Sequence, residues 1–324
     1  MDMLKDKVIL LTGGTGSFGD KFTEIVLREH DPEAIRIFSR GEKKQLDMHN
    51  KFKDDRLRFF IGDVRDRERL HRAMTDVDIV VHAAALKQVP ACEYNPIEAV
   101  RTNIEGAINV IDNAIDNEVE QVMAISTDKA VHPVNLYGAT KMTAEKLFIQ
   151  GNSYAGKADT KFSCVRYGNV IGSRGSVIPL FLEQKKTGTI TITHEKMTRF
   201  WIRLEDGVKF VIKCINRMKG GEIFIPKIPS MKIVDLADAI APGAKKKVIG
   251  IRPGEKIHEI LLTEDEANHS REFKDSFIIE PEHPFWEEKN LVGGKTLPEG
   301  FRYTSETNNQ WITKSDIKRI IKEL

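Results

Sequence analysis

Four apolar residues, Val8-Ile9-Leu10-Leu11, lead straight into Thr12-Gly13-Gly14-Thr15-Gly16-Ser17-Phe18-Gly19 and then into a helix-forming stretch at 22–28. A buried strand, a glycine turn and a helix in that order leave few architectures open. Lacking side chains at Gly13, Gly16 and Gly19, the backbone can turn tightly and approach a ligand closely, and the free amides at the helix amino terminus suit a pyrophosphate. A bare glycine turn is the alternative, and the flanking strand and helix argue against it. Gly13, Thr15, Gly16, Ser17, Phe18 and Gly19 are therefore candidate dinucleotide contacts.

Short β-branched runs at 8–11, 35–38, 57–61, 79–81, 122–126 and 162–166 alternate with helix-length stretches. That rhythm predicts an α/β fold, a doubly wound parallel sheet of Rossmann type with crossover helices. Near-continuous hydrophobicity at 8–11 and 122–125 fits strands covered on both faces. After Asn169 the chain turns to glycine- and proline-bearing loops, Gly172-Ser173-Arg174-Gly175-Ser176 and Ile251-Arg252-Pro253-Gly254-Glu255. The expectation is a cofactor domain over 1–172, with 203–227 returning to it. A smaller C-terminal α/β substrate lobe is expected over 173–202 and 228–324. Ile317, Ile320, Ile321 and Leu324 share one helical face, a packing signal. Lys245-Lys246-Lys247 reads as a solvated surface.

Fifty basic residues against 48 acidic ones give a net charge of only +2 over 324 residues. No basic block marks a nucleic-acid partner. Cys92, Cys164 and Cys214 are odd in number, widely separated and without ligand spacing, so buried thiols in a reducing cytoplasm are expected rather than disulfides or a metal site. No run approaches the ~18 apolar residues of a membrane span, and 8–11 is too short for a signal sequence. A soluble cytoplasmic protein is the expectation.

The second strand ends in Phe38-Ser39-Arg40, followed by Lys43 and Lys44. An acid there would bind the adenosine ribose, whereas arginine accommodates a 2′-phosphate, so NADP is expected in preference to NAD. Asp63-Val64 after the third strand suits the adenine edge, or a turn. Farther on, Tyr137 and Lys141 lie one helical turn apart. A tyrosine of pKa about 10 can take a hydroxyl proton only if a nearby ammonium lowers that value, and Lys141 is the candidate. Upstream, Ser126-Thr127-Asp128-Lys129 adds an acid and a base, unless it is only a surface ion pair after a strand. Thr127 could serve as a cap.

Together the glycine loop and the Tyr-Lys pair resemble the extended short-chain dehydrogenase/reductase superfamily. His82-Ala83-Ala84-Ala85-Leu86-Lys87, Ser126-Thr127-Asp128-Lys129-Ala130, Arg166-Tyr167-Gly168-Asn169, Met197-Thr198-Arg199-Phe200-Trp201 and Arg252-Pro253-Gly254-Glu255-Lys256 narrow this. They resemble the inverting UDP-N-acetylglucosamine 4,6-dehydratases that open pseudaminic acid biosynthesis. The resemblance runs from about residue 7 to the carboxyl terminus.

It implies that Tyr137 takes the proton of the sugar's 4-hydroxyl while NADP⁺ takes hydride from carbon 4. The ketone acidifies carbon 5, Lys129 removes that proton, and Asp128, held protonated, supplies the 6-hydroxyl with a proton as water leaves. Hydride then returns to carbon 6, and reprotonation from the opposite face inverts carbon 5, giving UDP-2-acetamido-2,6-dideoxy-β-L-arabino-hex-4-ulose. Enclosure should raise the carboxyl pKa and lower the amine pKa, and the positive charge of Lys141 should further disfavour a second ammonium.

By the same resemblance Ala83, Ala84 and Ala85 join the cofactor set. Lys87 and Asn169 should meet the diphosphate-sugar region, Val177 and Thr193 the uridine, and Arg199, Arg252 and Glu255 the nucleotide end. Arg252 could instead pair with Glu255 or Glu259. Asn103 could orient the active-site helix or a water, or bond within the core, and His82 reads as a satisfied strand-end histidine. Gly41, Arg203 and Val131-His132 depart from the family pattern without touching the proposed acid, base or tyrosine. The family also implies homo-oligomers, from dimers to hexamers. Competing readings are a retaining dehydratase, a 4-epimerase that would leave Asp128-Lys129 unused, and a non-catalytic NADP-binding scaffold.

Overall fold

The computed structural model describes residues 2–171, 177–281 and 293–323. Each of the six expected runs is a strand: β1 Val8–Thr12, β2 Ala34–Ser39, β3 Leu57–Ile61, β4 Ile79–His82, β5 Gln121–Thr127 and β6 Lys161–Tyr167. They lie parallel in the order β6-β5-β4-β1-β2-β3. Helices α1 Ser17–Glu29, α2 Glu42–Phe52, α3 Arg67–Met74, α4 Val89–Tyr94, α5 Pro96–Val100, α6 Gly106–Asp116 and α7 Leu136–Tyr154 connect them. Every residue of β1 is buried, as are Val80, Val122 and Phe162 on its neighbours. Covering a sheet on both faces is what continuous apolar runs require, and each Leu or Ile so buried contributes roughly 1.5–3 kcal/mol. Chain order reverses between β1 and β4, which opens a crevice at the carboxyl ends of the strands.

Among the described residues the sheet has ten strands. Ile223–Pro226 joins β6 in parallel, and Ser276–Ile279, Ser270–Glu272 and Lys295–Thr296 continue the sheet antiparallel. The last three come from the segment that the sequence assigned to the sugar lobe. Ser270–Glu272 and Lys295–Thr296 are short and carry charged residues, so they lack the apolar run that marked the inner strands, whereas Ser276–Ile279 carries the buried run Phe277-Ile278-Ile279. Leu204–Ile215 lies against α1.

A second apolar cluster gathers Ile178, Phe181, Ile190, Trp201, Leu236, Ile240 and Ile317. Ile320 and Ile321 of the carboxyl-terminal helix Lys314–Glu323 pack against it, while Leu324 and the loop 172–176 lie outside the described residues. Lys245-Lys246-Lys247 is exposed, and all three cysteines are buried and free. A buried arginine ties sheet, helix and carboxyl-terminal segment together. Arg166 of β6 donates to Glu145 of α7 at 3.1 and 2.7 Å, to Glu266 at 3.1 and 3.0 Å and to the Leu261 carbonyl at 3.0 Å.

Candidate active site

The crevice is a cleft of about 670 Å³ that runs from the glycine loop to Asn169. At one end Gly13 adopts φ +68°, and a Cβ there would stand 2.8 Å from the Ala84 amide nitrogen, so the β1 and β4 loops can abut only at a glycine. The α1 N-cap is Gly16, without a side-chain cap, which leaves first-turn amides for an anion. Close backbone approach and open helix amides both suit a dinucleotide pyrophosphate. Thr15, Gly16, Ser17, Phe18, Ser39, Arg40, Lys44, Asp63, Val64, Ala83, Ala84 and Ala85 line this end. Gly19 instead packs inside α1 against Gly14, and Lys43 is exposed on α2, outside the cleft lining. The Asp63 carboxylate accepts from Arg65 at 3.0 and 2.7 Å, with Arg40 at 3.8 Å, so it also serves its own turn.

Beneath the loop, His82 Nδ1 and Thr12 Oγ1 are hydrogen-bonded at 2.8 Å, as a satisfied strand-end histidine should be. Asn103 donates to the Leu86 carbonyl at 2.9 Å and to Thr140 Oγ1 at 3.0 Å, tying the β4 loop to α7.

At the other end β5 runs into a single 3₁₀ turn, Asp128–Ala130. After the short connection 131–135, helix α7 starts at Leu136, capped by Asn135, whose side chain accepts from the Gly138 amide at 2.7 Å. Gly138 lets the helix descend onto the turn, because a Cβ there would lie 2.2 Å from the Lys129 carbonyl oxygen. Tyr137 is thereby held beside Thr127 in the cleft lining.

Asp128 is fully buried, and its Oδ1 accepts from Thr127 Oγ1 at 2.9 Å and from Lys129 Nζ at 3.0 Å. Its Oδ2 is buried without a hydrogen-bond partner. Burial, with the nearby Glu259 charge, raises its carboxyl pKa against the pull of Lys129. That is the direction expected of an acid that keeps its proton.

Lys129 departs from expectation. Burial works to lower its pKa, but the carboxylates of Asp128 and Glu259, the latter 3.6 Å away, outweigh burial and hold the ammonium above its ordinary range. Its side chain is 24% exposed, which leaves it facing the cleft. Tyr137 also differs from expectation. Burial pushes its pKa up to about 12, and the ammonium that opposes burial is that of Lys129, whereas the sequence assigned this task to Lys141. Lys141 lines the cleft, is itself lowered by burial, and helps to depress His82.

Among the expected substrate contacts, Lys87 and Asn169 line the cleft, and Asn169 Oδ1 is buried without a hydrogen-bond partner. Val177, Thr193, Arg199, Arg252 and Glu255 lie outside the cleft lining. Arg199 is turned inward: it donates to the carbonyls of Thr198, Ile257 and Lys256 at 2.7, 3.0 and 2.9 Å and stands 3.6 Å from Glu259. Arg252 is exposed and sits 3.9 Å from Glu255, its expected alternative partner. Thr193 donates to Met197 Sδ at 3.1 Å. Sequence reasoning missed Thr102, Ser126, Tyr167 and Leu204 as lining residues. Tyr167 could have been found in Arg166-Tyr167-Gly168-Asn169, where attention fell on the asparagine.

A family profile described as "Polysaccharide biosynthesis protein" matches residues 9–281. A Campylobacter jejuni protein named UDP-N-acetylglucosamine 4,6-dehydratase (inverting) is 51% identical over 328 residues, covering 98% of each chain. A Rickettsia akari protein named UDP-glucose 4-epimerase is 46% identical over 272 residues, 82% of this chain and 80% of its own. Among solved structures, that of Pen from Bacillus thuringiensis superposes with a TM-score of 0.89 at 39% identity, covering 100% of both chains.

Proposed function

The chain belongs to the family of inverting UDP-N-acetylglucosamine 4,6-dehydratases within the extended short-chain dehydrogenase/reductases, and on that premise we propose that it dehydrates UDP-N-acetylglucosamine with inversion at carbon 5. One observation carries the reading: a buried carboxyl and a cleft-facing ammonium, 3.0 Å apart, adjoin Tyr137 in the cleft that begins at the glycine loop. Oxidation and return reduction alone need the tyrosine but not this pair. Removal of water needs an acid and a base together.

Gly13, Gly16, Ser17 and Phe18 would hold the dinucleotide pyrophosphate, and Arg40 with Lys44 favours the 2′-phosphate of NADP. When bound, NADP⁺ supplies the hydride acceptor for carbon 4 and, reduced, the hydride donor for carbon 6. Tyr137 takes the 4-hydroxyl proton, with Thr127 fixing its hydroxyl and Lys129 favouring its ionised form. A proton shift from Lys129 Nζ to Asp128 Oδ1 along their hydrogen bond leaves a neutral amine and a carboxylic acid. Lys129 then takes the carbon 5 proton while Asp128 protonates the departing 6-hydroxyl. Lys87 and Asn169 orient the diphosphate-sugar. On the same reading the enzyme is a cytoplasmic homo-oligomer that opens pseudaminic acid biosynthesis.

Incubation with UDP-N-acetylglucosamine and NADP⁺ in heavy water tests this directly by mass and proton spectra. The expected product has lost water and carries deuterium at carbon 5. The names of the Rickettsia relatives favour a second reading, 4-epimerisation, which predicts unchanged sugar mass with the 4-hydroxyl swapped; that result overturns the proposal. Lys129→Ala should keep nucleotide binding while dehydration falls about 10²–10⁴-fold.

A further inference from the structure

Glu259 lies immediately before the strand Ile260–Leu262, far along the chain from the Asp128–Ala130 turn, yet this segment packs against that turn. Its backbone is fixed on both sides by Ser305: the Glu259 amide donates to Ser305 Oγ at 2.9 Å, and its carbonyl accepts from the Ser305 amide at 2.8 Å. The carboxylate, thus aimed, meets three cations: Lys129 at 3.6 Å, Arg199 at 3.6 Å and Lys256 at 3.4 Å. Lys256 reaches on to the turn itself, donating to the Val131 carbonyl at 2.6 Å and to the Asp128 carbonyl at 3.4 Å.

A buried carboxylate costs several kcal/mol unless it is paired, so its retention calls for a reason. Packing alone does not supply one, because Arg199 is already anchored on three backbone carbonyls. What Glu259 adds is a buried charge beside Lys129, outside the cleft lining. Facing Lys129 are Asp128 from its own turn, Tyr137 from α7, Arg199 from the strand Thr198–Ile202 and Glu259; Lys256 faces Glu259 in turn. When Asp128 has taken the Lys129 proton, Glu259 is left as the carboxylate beside that amine, still opposite Arg199 and Lys256.

We propose that Glu259 is a positioning residue for water elimination: it holds the Lys129 side chain against the catalytic turn and sets the pH above which Lys129 serves as a base. This rests on the dehydratase reading. Opposite charge at such a distance favours the ammonium, which the neighbouring Arg199 and Lys256 moderate. Glu259 does not touch the sugar; it acts through Lys129.

The test is the pH profile of kcat for UDP-N-acetylglucosamine dehydration, followed by deuterium incorporation at carbon 5, in wild type, Glu259→Gln and Glu259→Asp. In the glutamine variant the rising limb should move about one pH unit lower, with KM near wild type. Aspartate keeps the charge but draws it back from Lys129, so its limb should fall between the two. It also keeps a counter-ion for Arg199 and Lys256, and decides the matter should the glutamine variant not fold. A limb unmoved in the variants, with only the amplitude reduced, overturns the inference and leaves the dehydratase reading intact. A wild-type enzyme that removes no water sinks both.

Discussion

His82 ends β4 with its ring against Thr12 and Phe148, and burial, aided by the Lys141 charge, pushes its pKa down to about 3 from an ordinary 6.5. The unfolded chain therefore takes up this proton near pH 6.5, whereas the folded one resists until far lower. Across that window the unfolded state binds more protons, so stability is complete above pH 6.5 and declines as pH falls, by up to about 1.4 kcal/mol per pH unit. His82→Gln should flatten that decline between about pH 6.5 and pH 4, as read from urea midpoints; superimposable slopes would assign the proton elsewhere. At this scale sequence revealed residue types better than orientations. Asp128, Lys129 and Tyr137 were legible because local spacing brings them together. Arg199 was not, since its choice between a ligand and three backbone carbonyls depends on where residues 256–257 lie. Lys129 was expected to be pushed toward neutrality, and the carboxylates of Asp128 and, remote in sequence, Glu259 together reverse the direction.

The meeting of the 3₁₀ turn with α7 is the element on which the site depends. Its clearance is set at Gly138, so Gly138→Val should force turn and helix apart. Overpacking of this kind costs typically 1–3 kcal/mol. The expected phenotype is a folded protein that binds dinucleotide and has lost most of its kcat, checked by cofactor titration beside turnover; wild-type kcat would show that the contact is not needed. The six inner strands were legible because burial on both faces demands continuous apolar runs. Ser270–Glu272 and Lys295–Thr296 were not, because strands of two or three residues at the periphery of the sheet carry no such requirement.

Across the whole molecule, Arg166 joins β6, α7 and the segment around Glu266 in one buried network. Arg166→Ala should cost about 3–5 kcal/mol, since it strands buried Glu145 and partly buried Glu266 without their cation. Urea denaturation measures it, and a loss below about 1 kcal/mol would mean that the network contributes little. Such long-range pairing leaves no trace in local periodicity, which is why the cofactor half could be read from the amino-terminal residues and the support of the catalytic turn could not. Lys256 grips the Val131 carbonyl from 125 positions away. A chain that has built only its inner sheet would thus own a berth for its coenzyme but no secured machinery for breaking a carbon–hydrogen bond. Reactivity is kept under lock from the distal third of the polypeptide.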